Sequence, residues 1–299
     1  MDNQHLLKYQ NSSIKNSDEY YTRYDDIAYE IKHIKICLKD KIIYLPCDNP
    51  KISNFWKYFV NNFDNLNLKA VYASYIVQDN EPAFTYIKDK SGIRKIKRDD
   101  NGSFDTEASI KLMKKADIVI TNPPFSLMAK HFYPLIQKTA KDYLIIAPIT
   151  TFCYKSCMQS VISGRLYIAN YKRTTSMVFD RPDGTQQKLG NVWWLSSFNL
   201  HINDNNFIHK HADMTYPKLT KLQVYFSPKA IDLSKQEISF FKKSSDIPSD
   251  YTGLMAVPVT FMNKINLRQF RIIGSGKPFI GKKQLFERVI IQNRLASRW

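Results

Sequence analysis

Glycine is scarce in this chain of 299 residues, with nine in all. No stretch therefore offers the glycine-rich loop that cradles a phosphate. Cysteine is scarcer still, and Cys37, Cys47, Cys153 and Cys157 match no zinc or disulfide spacing. They read as ordinary reduced cysteines, and no metal is expected. His209 and His211 form an H-x-H that strand alternation or a solvated loop explains as well. Long apolar runs are missing too, and none reaches a bilayer-spanning length. The opening MDNQHLLKYQNSS is polar and lacks the apolar core of a signal peptide. The chain reads as soluble and cytoplasmic, with no membrane partner.

Acidic residues are also few, but only in one half. Residues 1–150 carry 22 Lys and Arg against 18 Asp and Glu, whereas residues 151–299 carry 22 against 9. The net charges are +4 and +13, which together make the formal +17. Such an asymmetry suits a polyanion, although a solubilising surface gives the same count. Hydrophobic residues make up 43% of the chain, enough for a real core.

Residues 1–17 read as a flexible N-terminal arm. Beyond them helix-like and strand-like stretches alternate. Ile27, Ile31, Ile34 and Leu38 recur at helical spacing. KIIYLPCD is a short apolar run closed by an acid. Ser53 and Thr106 stand where helix N-caps belong, ahead of NFWKYFVNNF and EASIKLMKKA. LKAVYASYIV, DIVIT and DYLIIAPI read as strands, and SLMAKHFYPLIQKTA as a helix that Pro134 kinks. This alternation predicts βαβ units and a largely parallel sheet. In such sheets ligands gather beyond the carboxyl ends of the strands, where Asp48 and Asn122 both fall. Residues 165–200 read as antiparallel strands with a turn at Asp183-Gly184. GLMAVPVTFMNKI and QFRIIG read as strands of a smaller, basic region. The expected boundaries are a catalytic region at 18–200 and a basic C-terminal region at 201–299.

The stretch ADIVITNPPFSL places an amide, two prolines and an aromatic directly after a strand. An exocyclic aromatic amine is a poor nucleophile because its lone pair is delocalised into the ring. Two acceptors aimed at its hydrogens favour a pyramidal nitrogen that can attack a sulfonium methyl. The Asn122 side-chain oxygen and the Pro123 carbonyl are such acceptors. Pro123 and Pro124 restrict the turn and bring no competing N–H. Phe125 offers a flat face to an extruded base, and positioning supplies most of the rate. The same tetrapeptide chemistry also serves protein glutamine or RNA bases, so the acceptor stays open at this point. A DNA-binding protein that keeps the fold without turnover also remains open.

Several blocks, in order, carry a family likeness: DEYYTRYDDI (18–27), IYLPCDNPKISNFWKYF (43–59), GSFDTEASIKLMKKADIVITNPPFSL (102–127), VFDRP with NVWWLSSF, and DIPSDYTGLMAVPVTFMNKINLRQFRIIG (246–274). In these the chain resembles the EcoRI-like adenine-specific DNA methyltransferases over most of residues 18–274. The resemblance implies an α/β fold built on a class I (Rossmann-like) methyltransferase sheet, with S-adenosyl-L-methionine as cofactor. It implies N6 methylation of a flipped-out adenine in double-stranded DNA. The implied setting is restriction-modification or a related defence system, in which a cognate restriction endonuclease acts on the same site. Tyr21 and Thr22 would then approach the methionine moiety, Asp48 its amino-acid end, and Phe104 its adenine. Asn122, Pro123, Pro124 and Phe125 would hold the target base, with Phe179 as a second contact, a place Trp193 or Trp194 competes for. The basic C-terminal region would recognise the target. Lysines and arginines at 172–173, 242–243, 268, 271 and 282–283 would collectively meet the DNA backbone. The chain departs from the pattern at residues 218–230 and in three further places. CDNPKIS replaces a Gly-x-Gly, Ser103 stands where an acid is usual, and VYASYIV brings no acid for the ribose hydroxyls.

Overall fold

A computed structural model describes residues 20–78, 81–169, 171–172, 176–199, 207–212, 215–228 and 231–296. The expected N-terminal arm, 1–17, lies outside them, as does Arg173. The chain forms two compact units, residues 1–148 with 169–198, and residues 149–168 with 199–299.

The first unit opens with a two-residue strand, β1 (Tyr21–Thr22), and a helix, α1 (Tyr24–Ile34). Asp25 and Asp26 sit in the first turn of α1, where the helix dipole favours them. Ile27, Ile31 and Ile34 are buried along one face, and a 3-10 turn carries the stripe on to a buried Leu38. Four strands form the middle of the sheet: β2 (Ile42–Leu45), β3 (Ala70–Ala73), β6 (Ile118–Thr121) and β7 (Asp142–Pro148). They pair in parallel, in the order β3-β2-β6-β7. Their unbroken apolar sequences follow from burial on both faces. Helix α2 (Asn54–Asn61) crosses from β2 to β3, and helix α3 (Glu107–Lys115) precedes β6. Ser53 caps α2 by accepting from the N–H groups of Phe55 and Trp56, and Thr106 caps α3 by accepting from that of Ser109.

A hairpin absent from the sequence reading widens the sheet. Strands β4 (Phe84–Asp89) and β5 (Gly92–Lys97) add antiparallel beyond β3. Between β6 and β7 the helix is broken in a particular way. One turn at Phe125–Leu127 widens into a π turn at Met128–Phe132, and α4 (Tyr133–Thr139) follows. Pro134 has no N–H to give to the preceding turn, and the wider π geometry absorbs that loss.

A two-residue strand, β8 (Tyr167–Ile168), ends the segment that belongs to the second unit. Returning to the first unit, β9 (Ser176–Asp180) and β10 (Gln186–Gly190) form the expected hairpin. Gly184 takes φ +80°, and the Thr185 N–H donates to Asp183 Oδ1 at 2.9 Å. Strand β1 joins its far side, so that β1, β9 and β10 make a small antiparallel sheet. Strand β11 (Val192–Ser196) instead pairs antiparallel with β7, and Trp193 and Trp194 are buried there as core.

The second unit holds a six-strand sheet whose main path runs β12 (Lys221–Phe226), β15 (Phe270–Ile280), β17 (Arg288–Asn293), β14 (Leu254–Pro258) and β13 (Ile238–Phe240). A short strand, β16 (Lys283–Gln284), pairs with β15. The expected strand GLMAVPVTFMNKI stops at Pro258, and Val259–Asn263 turns into a 3-10 helix. Residues 149–168, expected in the catalytic region, belong to this unit. The helix α5 (Lys155–Ile162) packs on β12 and β15, and Ser275 Oγ donates to the Cys153 carbonyl at 2.9 Å. Among the described residues no helix is long and apolar enough to cross a membrane.

Candidate active site

The order of the central strands decides where a ligand fits. The chain moves from β2 to β3 on one side, then returns to place β6 on the other side of β2. The crossovers diverge between β2 and β6, and a crevice opens at the carboxyl ends of those strands. A cavity of about 460 Å³ lies there, a size ordinary for a cofactor site.

Asp48 follows β2 and Asn122 follows β6, and the two turns touch. Thr121 Oγ1 donates to Asp48 Oδ2 at 2.7 Å, and Ser53 Oγ donates to Asp48 Oδ1 at 2.7 Å. Asp48 is buried, and that burial raises its pKa to about 6 against the pull of the two hydroxyls. Here Ser53 serves twice, as helix cap and as carboxylate donor, so CDNPKIS orders the turn without glycines. Cys47 also lines the cavity. Desolvation, with the neighbouring Asp48 charge, pushes its thiol well above its ordinary value. A nucleophilic thiolate is therefore disfavoured at Cys47.

Opposite stands the Asn-Pro-Pro-Phe turn. Asn122 Nδ2 donates to the Tyr20 carbonyl at 2.7 Å, which fixes the amide's orientation. Asn122 Oδ1 is closed off from solvent and has no hydrogen-bond partner among the described residues. Thr22 Oγ1 is in the same condition. Buried polar atoms are nearly always paired, and an orphan costs about 1–3 kcal/mol, so each of these points to a missing partner. Strand β1 is held against the cavity by Asn54 Nδ2, which donates to the Thr22 carbonyl at 2.9 Å.

Of the residues singled out from sequence, Tyr21, Thr22, Asp48, Phe104 and Asn122 through Phe125 all line this one cavity. Phe104 rests edge-on against Phe132, with centroids 5.1 Å apart. Phe179 is fully buried and does not line the cavity; its ring packs behind Phe125, 6.1 Å away in a T-shaped pair. Its place follows from the register of the small sheet, where Phe179 faces Thr22.

Tyr20 and Glu81 are among the lining residues that escaped the sequence reading. Tyr20 contributes its carbonyl to Asn122 and its ring to a stack on Phe125, 5.9 Å apart at 22°. Glu81 reaches the cavity from the loop beyond β3, eight residues past the end of that strand. Ser103 also lines the cavity, and its hydroxyl donates to Asp105 Oδ1 at 2.5 Å. Gly102, at φ +79°, allows this approach, since a Cβ there would meet the Tyr75 carbonyl oxygen at 2.1 Å.

The cationic candidates are less uniform. Lys172 is tied to Asp26 and lies over the Tyr29 ring. Arg271 hydrogen-bonds Gln292. Lys242, Lys243, Arg268, Lys282 and Lys283 are exposed on the second unit.

The chain was compared with known proteins. The family model described as "Adenine-specific methyltransferase EcoRI" matches residues 8–296. The Type II methyltransferase M.EcoRI of Escherichia coli is 33% identical, over 93% of this chain and 94% of that protein. Type II methyltransferases of Mycoplasma genitalium (M.MgeORF184P) and Mycoplasma pneumoniae (M.MpnI) are each 28% identical, over 86% of this chain and 82% of their own. No solved structure matches it. A match that runs almost end to end, on a chain whose Asn-Pro-Pro-Phe turn faces a buried carboxylate across one cavity, places this chain in the EcoRI family of adenine-specific methyltransferases.

Proposed function

We propose that this adenine-specific DNA methyltransferase draws its methyl group from S-adenosyl-L-methionine and places it on N6 of an adenine flipped out of double-stranded DNA. We read the β3-β2-β6-β7 core as a class I (Rossmann-like) methyltransferase sheet. Parallel crossovers and a ligand crevice at the β2/β6 divergence support that reading.

The residues present fit such a donor. Asp48 offers a buried carboxylate to an ammonium group, and Thr22 offers a hydroxyl that lacks a partner. Phe104 gives an apolar face to an adenine ring, and Glu81 is the acid available to ribose hydroxyls. When bound, the donor supplies a methyl carbon made electrophilic by a sulfonium sulfur, which keeps the carbon–sulfur electron pair.

The chain's own residues prepare the acceptor. Asn122 Oδ1 and the Pro123 carbonyl each accept one hydrogen of the adenine amino group. The nitrogen lone pair is thereby withdrawn from the ring and aimed at the methyl carbon. Phe125 stacks on the base, and Phe179 backs Phe125. The new carbon–nitrogen bond leaves a positive nitrogen, which loses one proton to water. No strong base is required.

The second unit, with its exposed lysines and arginines, is the surface we assign to target recognition and the DNA backbone. The implied context is restriction-modification or a related defence system, with a cognate endonuclease acting on the same sequence.

The observation that carries this reading is the solvent-sealed, unpartnered Asn122 Oδ1 in a turn that shares its cavity with Asp48. Methylation-aware sequencing of DNA from cells expressing the chain tests it. N6-methyladenine is expected at one sequence context, and Asn122→Ala abolishes it while purified protein still binds S-adenosyl-L-methionine. Equal methylation in that variant would remove the acceptor role.

A further inference from the structure

Tyr20 has no part in the scheme above, yet it touches Asn122, Phe125 and Phe179. Its carbonyl accepts from Asn122 Nδ2 at 2.7 Å. Its ring lies 5.9 Å from Phe125 at 22°, close to parallel, as a flat base stacked there would lie. The same ring meets Phe179 at 5.8 Å and 58°, and the Arg181 guanidinium carbon stands 5.8 Å from its centroid. Phe125 and Phe179 are in turn 6.1 Å apart. Three rings thus close on one another around the Asn-Pro-Pro-Phe turn, and Asn122 Oδ1 lies sealed from solvent.

We propose that the Tyr20 ring is a stand-in for the target base, holding the aromatic niche beside Phe125 until an adenine displaces it, while its carbonyl keeps Asn122 oriented. The inference rests on the adenine-methylation reading.

Three features support an exchange rather than a permanent plug. Phe179 is fully buried, but Tyr20 is half-buried, so one side of its ring has somewhere to go. The ring and the carbonyl are separable. Rotation about the Cα–Cβ bond moves the ring while the hydrogen bond to Asn122 stays made. Finally, the displacement has a direction. A phenol ring lying flat on Phe125 leaves Asn122 Oδ1 without a partner. An adenine in its place brings the amino hydrogen which that oxygen lacks, so the exchange satisfies a buried acceptor. Tyr20 is therefore a positioning residue through its backbone and a competitor through its side chain. The competing ring also keeps water away from the acceptor oxygen before a base arrives.

The two roles predict opposite effects in one variant, which distinguishes them from a merely structural role. Initial rates of methyl transfer from radiolabelled S-adenosyl-L-methionine into unmethylated genomic DNA give KM and kcat. Folding is checked by circular dichroism and by calorimetric binding of S-adenosyl-L-methionine. Tyr20→Ala removes the competitor and keeps the carbonyl, so KM for DNA falls about threefold or more, the scale of one aromatic contact. The change in kcat is smaller than that in KM. Tyr20→Phe, which restores a flat ring, restores the higher KM. Should the alanine variant fail to bind cofactor, Tyr20→Leu takes its place, with the same fall in KM expected. An unchanged or raised KM in a folded variant, with the wild type active, overturns this inference alone. No transfer by the wild-type chain overturns the adenine-methylation reading, and this inference with it.

Discussion

The two ends of the cavity treat their polar atoms in opposite ways. At the end of β2, both Asp48 oxygens are occupied, one by Ser53 Oγ and one by Thr121 Oγ1. At the end of β6, the Asn122 nitrogen is occupied and its oxygen is not. Both side chains lie on neighbouring turns of one sheet, and Asn122 Oδ1, like the buried Asp48, is closed off from solvent, so the difference is not one of solvent access. It follows from charge. A buried carboxylate left unpaired costs far more than its turn can supply, so the fold must surround it with donors before any ligand arrives. A neutral amide oxygen costs about 1–3 kcal/mol unpaired, which a fold can tolerate. The charged end is therefore finished in the free protein, and the neutral end is completed by its ligand.

The sharpest way to break this contrast is to make the charged end neutral. Asp48→Asn keeps the shape and removes the charge we propose meets the donor's ammonium group. Calorimetry should show affinity for S-adenosyl-L-methionine falling roughly 30-fold or more, as when one partner of a buried charge pair is lost. Stability should move the other way. The carboxyl has a pKa of about 6 in the folded chain against 3.8 as its ordinary value. Between those values the folded state holds the proton more firmly than the unfolded state, so stability falls as pH rises from about 4 to 6. Above that window the ionised, desolvated group costs on the order of 3 kcal/mol. Asp48→Asn relieves part of this at pH 8, and thermal melts should show the variant no less stable than the wild type there. A large loss of both affinity and stability would mean that the carboxylate serves the turn and not the ligand.

The same carboxyl predicts a pH profile for the wild type. A bound ammonium favours ionised Asp48, so below about pH 6 the site must release a proton in order to bind. Affinity for the cofactor should then fall by up to about tenfold per pH unit on the acid side of 6, and level off above it. A flat profile from pH 5 to 7 would place the ammonium elsewhere.

Much of this arrangement was legible in the residues, and the reasons are local. IIYL, IVIT and YLIIAP are short apolar runs, and a strand buried on both faces has no other appearance. Ser53 and Thr106 cap helices through N–H groups two or three residues away. Asp183-Gly184 writes its own turn. What stayed hidden depends on distant partners. Residues 149–168 read as a continuation of the first unit, because nothing within them announces Ser275, whose hydroxyl meets the Cys153 carbonyl from 122 positions away. The β4–β5 hairpin was within reach, since FTYIKDKSGIRKIK alternates around a Ser-Gly turn. Tyr20 was not, because its carbonyl is one that every residue has, and its ring matters only through the distant Phe125 and Phe179 that the fold brings to it. Glu81 sits on a loop whose path across the cavity no periodicity encodes.

A milder change separates the two hydroxyls that complete the charged end. Ser53→Ala removes an Asp48 donor and the N-cap of α2 together. It should lower stability by about 1 kcal/mol through the cap alone, and it should also shift the cofactor profile. Thr121→Val touches less. Thr121 is fully buried at the end of β6, and valine matches its shape and its strand preference, so packing survives. What disappears is one donor to Asp48 Oδ2. Hydrogen bonds to the ionised form hold a carboxyl's pKa down, so their loss lets burial raise it further above about 6. The midpoint of the cofactor-binding profile should move toward neutral pH by up to about one unit, with affinity at pH 8 almost unchanged. The direction is the informative part. A midpoint that moves to lower pH would mean that Thr121 had been stabilising the protonated acid, and the charged end would not be finished in the free protein.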